Sequence, residues 1–551
     1  MGKEVLEPRI AVVGMGPRAL GALEALALQI GKSAAPLKVD GFDPLPACGA
    51  GPNFDPEELS VCRLNIPMRD IEIRPPSFSG CGSFAEWLKN APGPNTFPTR
   101  ADLGRYLEAR YSDLKAARRL EITHLPVNVT HLKQGEGGWM LRAEDTWQGP
   151  YTEVLLSLGQ PEVQPDDQLA EWQQHADASA GTLAQAYPAK RLQSEAANWS
   201  GYTVAIRGLA LSAFDVLRVL TTLQGGKFDQ GRYIPSGNEP AVILPFSLDG
   251  RPPFPKPETE SLDGRFAPTR EETDTFAANI ANASTATPKK AQELVTEAIL
   301  PVVIRILREV ESSADASDVS DWLETEWSSP GSQETDGPLE TLRGGIAIAE
   351  GTCLPSIGYV VGQVWRKWQD ALRGGYNPAD TPPDTAEKII AFDEGLKRYS
   401  YGPAISSSRE LAALIDAGIV DLEYAVDPDF ALTGGGWTVK SGAGSIEAGV
   451  MIDTVMASPD LSILRPPLLV GLMDEGRICP ITDGLAAHTT EDGQLIGRDG
   501  ETSPGLCLLG RLALGSVVAA DSLHDCFGEA SHRWAQGVAE RLGKPFFGSG
   551  R

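Results

Sequence analysis

A chain of 551 residues can bury several cores and, at about 100–200 residues per domain, holds about three or four folding units. Its 48 lysines and arginines face 74 aspartates and glutamates, a formal net charge of −26, which argues against nucleic acid or an anionic membrane as main partner and for a solvated acidic surface. Seven cysteines without a C-x-x-C pair and six histidines (His124, His131, His175, His488, His524, His532) without ligand spacing point to neither a disulfide framework, a redox-cysteine pair nor a metal site.

The opening MGKEVLEPRI has no apolar signal core, and no later stretch reaches the roughly 18 apolar residues that span a bilayer, so a soluble cytoplasmic protein is expected. Next comes RIAVVGMGPRALGALE, Arg9 to Glu24: an apolar run, a glycine turn and an alanine- and leucine-rich helix. In such a unit Gly14 lets the chain turn, Gly16 lets a pyrophosphate approach the backbone, and Ala19 packs helix against strand. With Pro17 and Arg18 these residues form a candidate diphosphate site at the helix's positive end. LKVDGFDP reads as the second strand, and Asp43, 27 residues after Gly16, stands where an acid accepts hydrogen bonds from a ribose, with Asp40 as competitor.

PACGAGPNF is a small-residue loop, and VCRLNIPMRDI carries Arg63, Asn65 and Arg69 either on an edge strand or in a loop closing over a cofactor. Helices are predicted over Phe84 to Leu88 and Arg100 to Arg119, the second capped by Thr99. Short strands follow, and YTEVLLSLGQPEV gives a buried strand ended by Gly159 and Pro161.

From 164 to 200 the composition turns polar and reads as a linker with one or two helical turns. TVAIRGLALSAFDVLRVLTTL then repeats the opening logic, with Gly208 at the turn, Ala210 in place of the middle glycine, and Ser212 placed to cap the helix and meet a phosphate. The next strand ends without an acid for an unphosphorylated ribose; Ser247 and Arg251 follow instead, which leans towards NADPH.

About 264 to 391 is mainly helical with a solvated acidic stretch, 311 to 339. A helix should begin near Ser408, with strands near Leu422 to Val426, Trp437 to Lys440 and Ile446 to Met456. The closing LCLLGRLALGSVVAADSLHDCFGEASHRWAQGVAERL reads as a strand, a turn at Gly510, a small-residue stretch and a long helix, with His524 and His532 on one helix face.

VVGMGPRALGALE, RLNIPM, LSLGQP, RGLALSAFDVLRVLT, PFSLDGRPPFPKP, YGPAISSSRELAALIDAG and LLGRLALGSVVAADSL together resemble the bacterial FAD/NAD(P)-binding proteins related to flavin-dependent N-hydroxylating monooxygenases, including enzymes that oxidise the aspartate amino group. The resemblance implies an α/β protein with two Rossmann-like dinucleotide-binding domains and a mainly helical insertion. Residues 1–163 and 465–551 would form a discontinuous FAD domain, 164–200 a linker, 201–260 and 420–464 an NAD(P) domain, and 261–419 a substrate-covering insertion.

It further implies that Gly14, Gly16, Pro17, Arg18, Ala19 and Asp43 hold the adenosine diphosphate half of FAD. Asn65, Gly510, Arg511 and the segment to Asp521 would lie beside its flavin end, and Gly208, Ser212 and Arg251 would face NADPH or NADH. The implied reaction hydroxylates the nitrogen of a small amine or amino acid with oxygen, through a flavin hydroperoxide. Arg398 is the candidate for a substrate carboxylate, because a guanidinium fork pairs with it bidentately. The alternatives are an NAD(P)H:FAD oxidoreductase or amine dehydrogenase that makes no hydroperoxide, and a flavin-binding scaffold or sensor with a degenerate second site.

Overall fold

The computed structural model describes residues 7–30 and 35–543; the outer ends of the expected FAD domain lie outside the described residues. β1 (Arg9–Val13) passes through Gly14 into α1 (Pro17–Ile30) and β2 (Leu37–Phe42). After α2 (Phe84–Trp87) and α3 (Arg100–Ala116), which Thr99 caps, come β3 (Leu120–Leu125), an antiparallel meander of β4 (Val129–Gly135), β5 (Gly138–Ala143) and β6 (Thr146–Tyr151), and then β7 (Glu153–Leu156). α4 (Asp167–Ala178), β8 (Thr182–Gln185) and α5 (Ala189–Ala196) precede β9 (Thr203–Arg207), α6 (Leu211–Leu220), the hairpin β10 (Lys227–Asp229) and β11 (Arg232–Ile234), and β12 (Val242–Phe246).

The helical insertion comprises α7 (Glu260–Gly264), α8 (Arg270–Ala283), α9 (Pro288–Glu309), α10 (Ala316–Ser328), α11 (Pro338–Ala349), α12 (Ile357–Lys367), α13 (Gln369–Tyr376), α14 (Pro383–Ser400) and α15 (Ile405–Asp416). A second meander, β13 (Asp429–Thr433), β14 (Gly436–Ser441) and β15 (Gly444–Ala448), leads into β16 (Val450–Asp453). The chain closes with α16 (Pro467–Asp474), β17 (Gln494–Ile496), β18 (Thr502–Leu508), α17 (Leu523–Cys526) and α18 (Glu529–Arg541).

One sheet has the order β17-β18-β7-β1-β2-β3, parallel except for β17; the other, β12-β9-β16-β8, is wholly parallel. Its central strands are continuous apolar runs because both faces are covered. On the first sheet α1, α3 and α18 bury Leu23, Leu26, Leu107 and Trp534 against one face, while the first meander and α16 bury Trp139, Leu141 and Leu469 against the other. On the second, α6 and α15 bury Phe214, Leu217 and Leu411, and α4 with the second meander buries Trp172, Trp437 and Val439 opposite. The insertion has its own aromatic core, in which Phe276 stacks on Trp368 at 4.2 Å and Trp327 on Phe392 at 3.9 Å.

Several sequence expectations change. The stretch 164–200 is no plain linker: it holds two helices, and its strand β8 forms the edge of the second sheet beside β16. Residues 61–71 form turns with one bridge, Arg63 to Thr99, rather than an edge strand, because Pro67 interrupts the run. The stretch from Ile446 to Met456 divides at Gly449, where the chain leaves the meander and enters the parallel sheet. Leu422 to Val426 runs beside β12 through isolated parallel bridges, Ile243 to Val420 and Ser247 to Val426. The helix expected near Ser408 starts at Ile405, and His524 and His532 sit on different helices because the chain turns at Phe527 and Gly528 between them.

Candidate functional site

In both sheets the strand that opens a glycine unit is flanked on one side by the strand its helix leads to and on the other by a later strand, β1 between β2 and β7 and β9 between β12 and β16. Crevices at the carboxyl ends of such switch points are where open α/β sheets take ligands. In the first, Gly14 donates its N–H to Phe42 O (2.8 Å), and Ser157 donates its N–H to Val13 O (2.9 Å). In the second, Gly208 donates to Phe246 O (2.8 Å) and Thr454 to Arg207 O (2.9 Å). Each glycine has positive φ, +89° and +105°, and each would drive a Cβ into the facing residue, 2.5 Å from Ser157 O and 2.4 Å from Thr454 Oγ1. The two units are thus matched bond for bond.

Gly16 differs: a Cβ there would meet no protein atom nearer than Gly51 Cα at 3.7 Å. Glycine at that position is not demanded by the protein's own packing, which fits a group lying against the backbone. Pro17 opens α1, where its missing N–H costs nothing, and the following amides face the crevice end of the helix without intrahelical partners. Ala19 is fully buried. Asp43 follows β2; its Oδ2 accepts the Met15 N–H (2.7 Å) and its Oδ1 the Leu45 N–H (2.8 Å), so the carboxylate braces the turn at the crevice. Its competitor Asp40 instead accepts from Tyr151 Oη (2.7 Å) and pairs with Arg9 on the meander side. Residues fit for an FAD diphosphate and ribose are therefore Gly14, Gly16, Asp43 and the first turn of α1.

Other expected site residues are committed elsewhere. The Arg18 guanidinium, 8 % exposed, pairs with Asp525 at 2.6 Å and donates to Asp525 O and Ala520 O. It fastens the first helix to the closing segment, and only its backbone N–H stays at the crevice. Gly510 (φ +103°) follows β18 and lies beside Arg18. Arg511 donates to Gln160, Ala457 O and both oxygens of Asp521. Burial raises the Asp521 pKa, but Lys397 and Arg511 outweigh it and hold the carboxyl below its ordinary value.

In the second unit α6 begins at Leu211 with the exposed Ala210 as N-cap and no capping side chain, so Ser212 lies inside the first turn instead of capping it. Arg251 donates through Nε to Asp336 O (2.6 Å). Arg398 pairs with Asp249 after β12; burial raises that carboxyl's pKa, yet Arg398 outweighs it. The Arg398 fork expected to meet substrate is thus engaged by the chain's own carboxylate.

Sequence reasoning missed a charged cluster where 63–72 meets the insertion. Lys256, 5 % exposed, donates to Asn65 O and Gly402 O, both at 2.7 Å, and among the described residues has no carboxylate within salt-bridge distance. Around it Arg366 pairs with Asp263 and Asp70, and Lys367 pairs with Asp263. Burial, then the Arg366 charge, pulls the Lys256 ammonium down to about 7. A lysine enclosed by prolines in PFPKP was the available signal.

A family model described as FAD-NAD(P)-binding matches residues 11–161, the stretch that holds the first glycine turn and the β1–β7 switch point. Nitrosuccinic acid synthase of Aspergillus oryzae is 30% identical over 256 residues, 42% of this chain and 39% of that protein, so the match spans about two-fifths of that relative's length. L-aspartate N-monooxygenase (nitrosuccinate-forming) of Streptomyces cremeus is 25% identical over 88% of this chain and 86% of its own. Residues 11–161 thus match an FAD-NAD(P)-binding family model, and the chain as a whole is similar to the aspartate N-monooxygenase. Among solved structures, the ornithine N-hydroxylase of Kutzneria sp. 744 aligns over 97% of this chain and 99% of its own, with 13% identity and a TM-score of 0.49. No helix among the described residues is long and apolar enough to cross a membrane.

Proposed function

We propose that this protein is an FAD-dependent, NADPH-using monooxygenase that hydroxylates the nitrogen of a small amine or amino acid, and that it works in the cytoplasm. The observation that carries this reading is the matched pair of strand–glycine–helix units at two switch points, one for each nucleotide. The relatives named for aspartate and nitrosuccinate support an amino acid as substrate.

The flavin is assigned to 1–163 with 465–551 and the nicotinamide nucleotide to 201–260 with 420–464, to which β8 adds an edge; 261–419 covers the substrate. When bound, the flavin supplies hydride acceptance from NADPH and the reaction with oxygen, one oxygen atom going to nitrogen and the other leaving as water. The chain's part is binding, orientation and exclusion of water. The α1 amides and Gly16 take the diphosphate, Asp43 the adenosine ribose, and Gly208 with Ser212 the second nucleotide.

The test is aerobic NADPH oxidation by FAD-loaded protein over a panel of amines and amino acids. Substrate-stimulated, oxygen-dependent consumption with an N-oxidised product is expected. Consumption indifferent to oxygen would make the protein a reductase or dehydrogenase instead, and flavin without NADPH reaction a scaffold.

A further inference from the structure

The chain crosses between its two nucleotide units twice, outward after β7 and back after β16. The crossings run antiparallel and bond to each other: Val163 bridges Leu464, Gln164 donates its N–H to Ile463 O (2.7 Å), and Arg465 donates its N–H to Glu162 O (3.1 Å). Hinges between packed bodies are a few loop or element-terminal residues of this kind.

One side chain touches both strands of it. Arg511 donates through Nε to Gln160 Oε1 (2.9 Å) on the outward crossing and through Nη2 to Ala457 O (3.1 Å) on the return. Its Nη1 reaches both carboxylate oxygens of Asp521 (2.8 Å each), and Asp521 also accepts from Lys397 Nζ (3.0 Å) on α14 of the insertion. The Arg511 side chain is 14% exposed and Asp521 19%, so water and salt screen the pair only in part. All three nitrogens of the guanidinium are engaged, in a planar fork a lysine cannot reproduce.

We infer that Arg511 is the positioning residue of the hinge: it locks both crossings to the closing segment and, through Asp521 and Lys397, to the insertion, and so fixes how the two nucleotide sites face each other. This rests on the two-nucleotide reading above. Hydride transfer needs reacting atoms about 3–3.5 Å apart, and a shift of about 1 Å costs about a hundredfold in rate. A hinge clamp therefore acts on the rate of flavin reduction without touching either cofactor.

The test uses FAD-loaded full-length protein as wild type, Arg511→Gln, Arg511→Lys and Gln160→Ala. Three quantities are measured: bound FAD, the anaerobic rate of flavin reduction at saturating NADPH, and hydrogen exchange of residues 157–166 and 454–466. Arg511→Gln should keep its FAD, reduce at least tenfold more slowly, and exchange faster in both crossings. Arg511→Lys should fall between it and wild type. Gln160→Ala, which removes the outward crossing's bond to Arg511, should loosen the outward crossing alone.

Wild-type exchange and reduction in Arg511→Gln would overturn the inference, as would loss of FAD with wild-type exchange, which would make Arg511 a cofactor contact. A wild-type protein that binds FAD but is not reduced by NADPH would count against the functional reading, while the exchange measurement still decides the clamp.

Discussion

Gly14 and Gly16 are glycines for different physical reasons, and two substitutions separate them. At Gly14 an added Cβ lies 2.5 Å from Ser157 O on a backbone with φ +89°, so Gly14→Ala should destabilise the fold by about 2–5 kcal/mol from strain and overpacking together. At Gly16 the nearest protein atom is 3.7 Å away, so Gly16→Ala should melt like wild type without flavin and yet bind FAD at least about tenfold more weakly. Thermal melts with and without FAD check both; equal destabilisation by the two would show that Gly16 serves packing only.

Lys256 carries a pH signature. Its pKa is about 7 when folded against roughly 10.4 unfolded. Between these values the unfolded chain binds a proton the folded chain lacks, so the lysine's penalty is full below pH 7 and fades as pH rises towards 10. Wild type should therefore gain stability relative to Lys256→Met across pH 7 to 10, by at most about 1.4 kcal/mol per pH unit. Denaturant titrations at several pH values measure this, and a flat difference would contradict it.

At the scale of elements, the pairing of the two units aligns Gly14 with Gly208 and Phe42 with Phe246, which puts Ser247 where Asp43 stands. A serine there leaves room for a ribose phosphate that an aspartate would repel. Ser247→Asp should lower the NADPH-to-NADH ratio of kcat/KM by about tenfold or more. An unchanged ratio would place nicotinamide specificity elsewhere.

Much of this layer was legible in the sequence because it is local. The apolar run, Gly14, Gly16 and Pro17 announce strand, turn and helix within a few residues, and Thr99 announces the start of α3. Edge strand β8, TLAQ, carries no such pattern, since four residues half open to solvent need little apolar surface. The partners of Arg18, Arg398 and Arg511 lie 507, 149 and 351 positions away. Periodicity and spacing hold no information about contacts of that range, so these arginines read as ligand-binding hands when the fold uses them as fasteners.

For the whole molecule, the closing segment ties several of the parts together. β18 extends the first sheet beside β7, α18 packs on α1, Arg18 reaches Asp525, and Arg511 with Asp521 joins the crossings to the insertion. Breaking the buried Arg18–Asp525 pair from one side would cost about 3–5 kcal/mol, a large share of a domain's stability. The acidic excess of the chain coexists with a cationic cluster at Lys256, Arg366 and Lys367 inside the interface between the insertion and the unit built on the first sheet.

In the proposed function the two nucleotide units cooperate to put oxygen on nitrogen. FAD-loaded protein supplied with NADPH, an amino-acid substrate and isotope-labelled oxygen gas tests it most directly, with the product read by mass spectrometry. One labelled oxygen atom on the substrate nitrogen per NADPH consumed is the predicted result. NADPH consumption that returns all the label as hydrogen peroxide, with the amine unchanged over the whole panel, would contradict it.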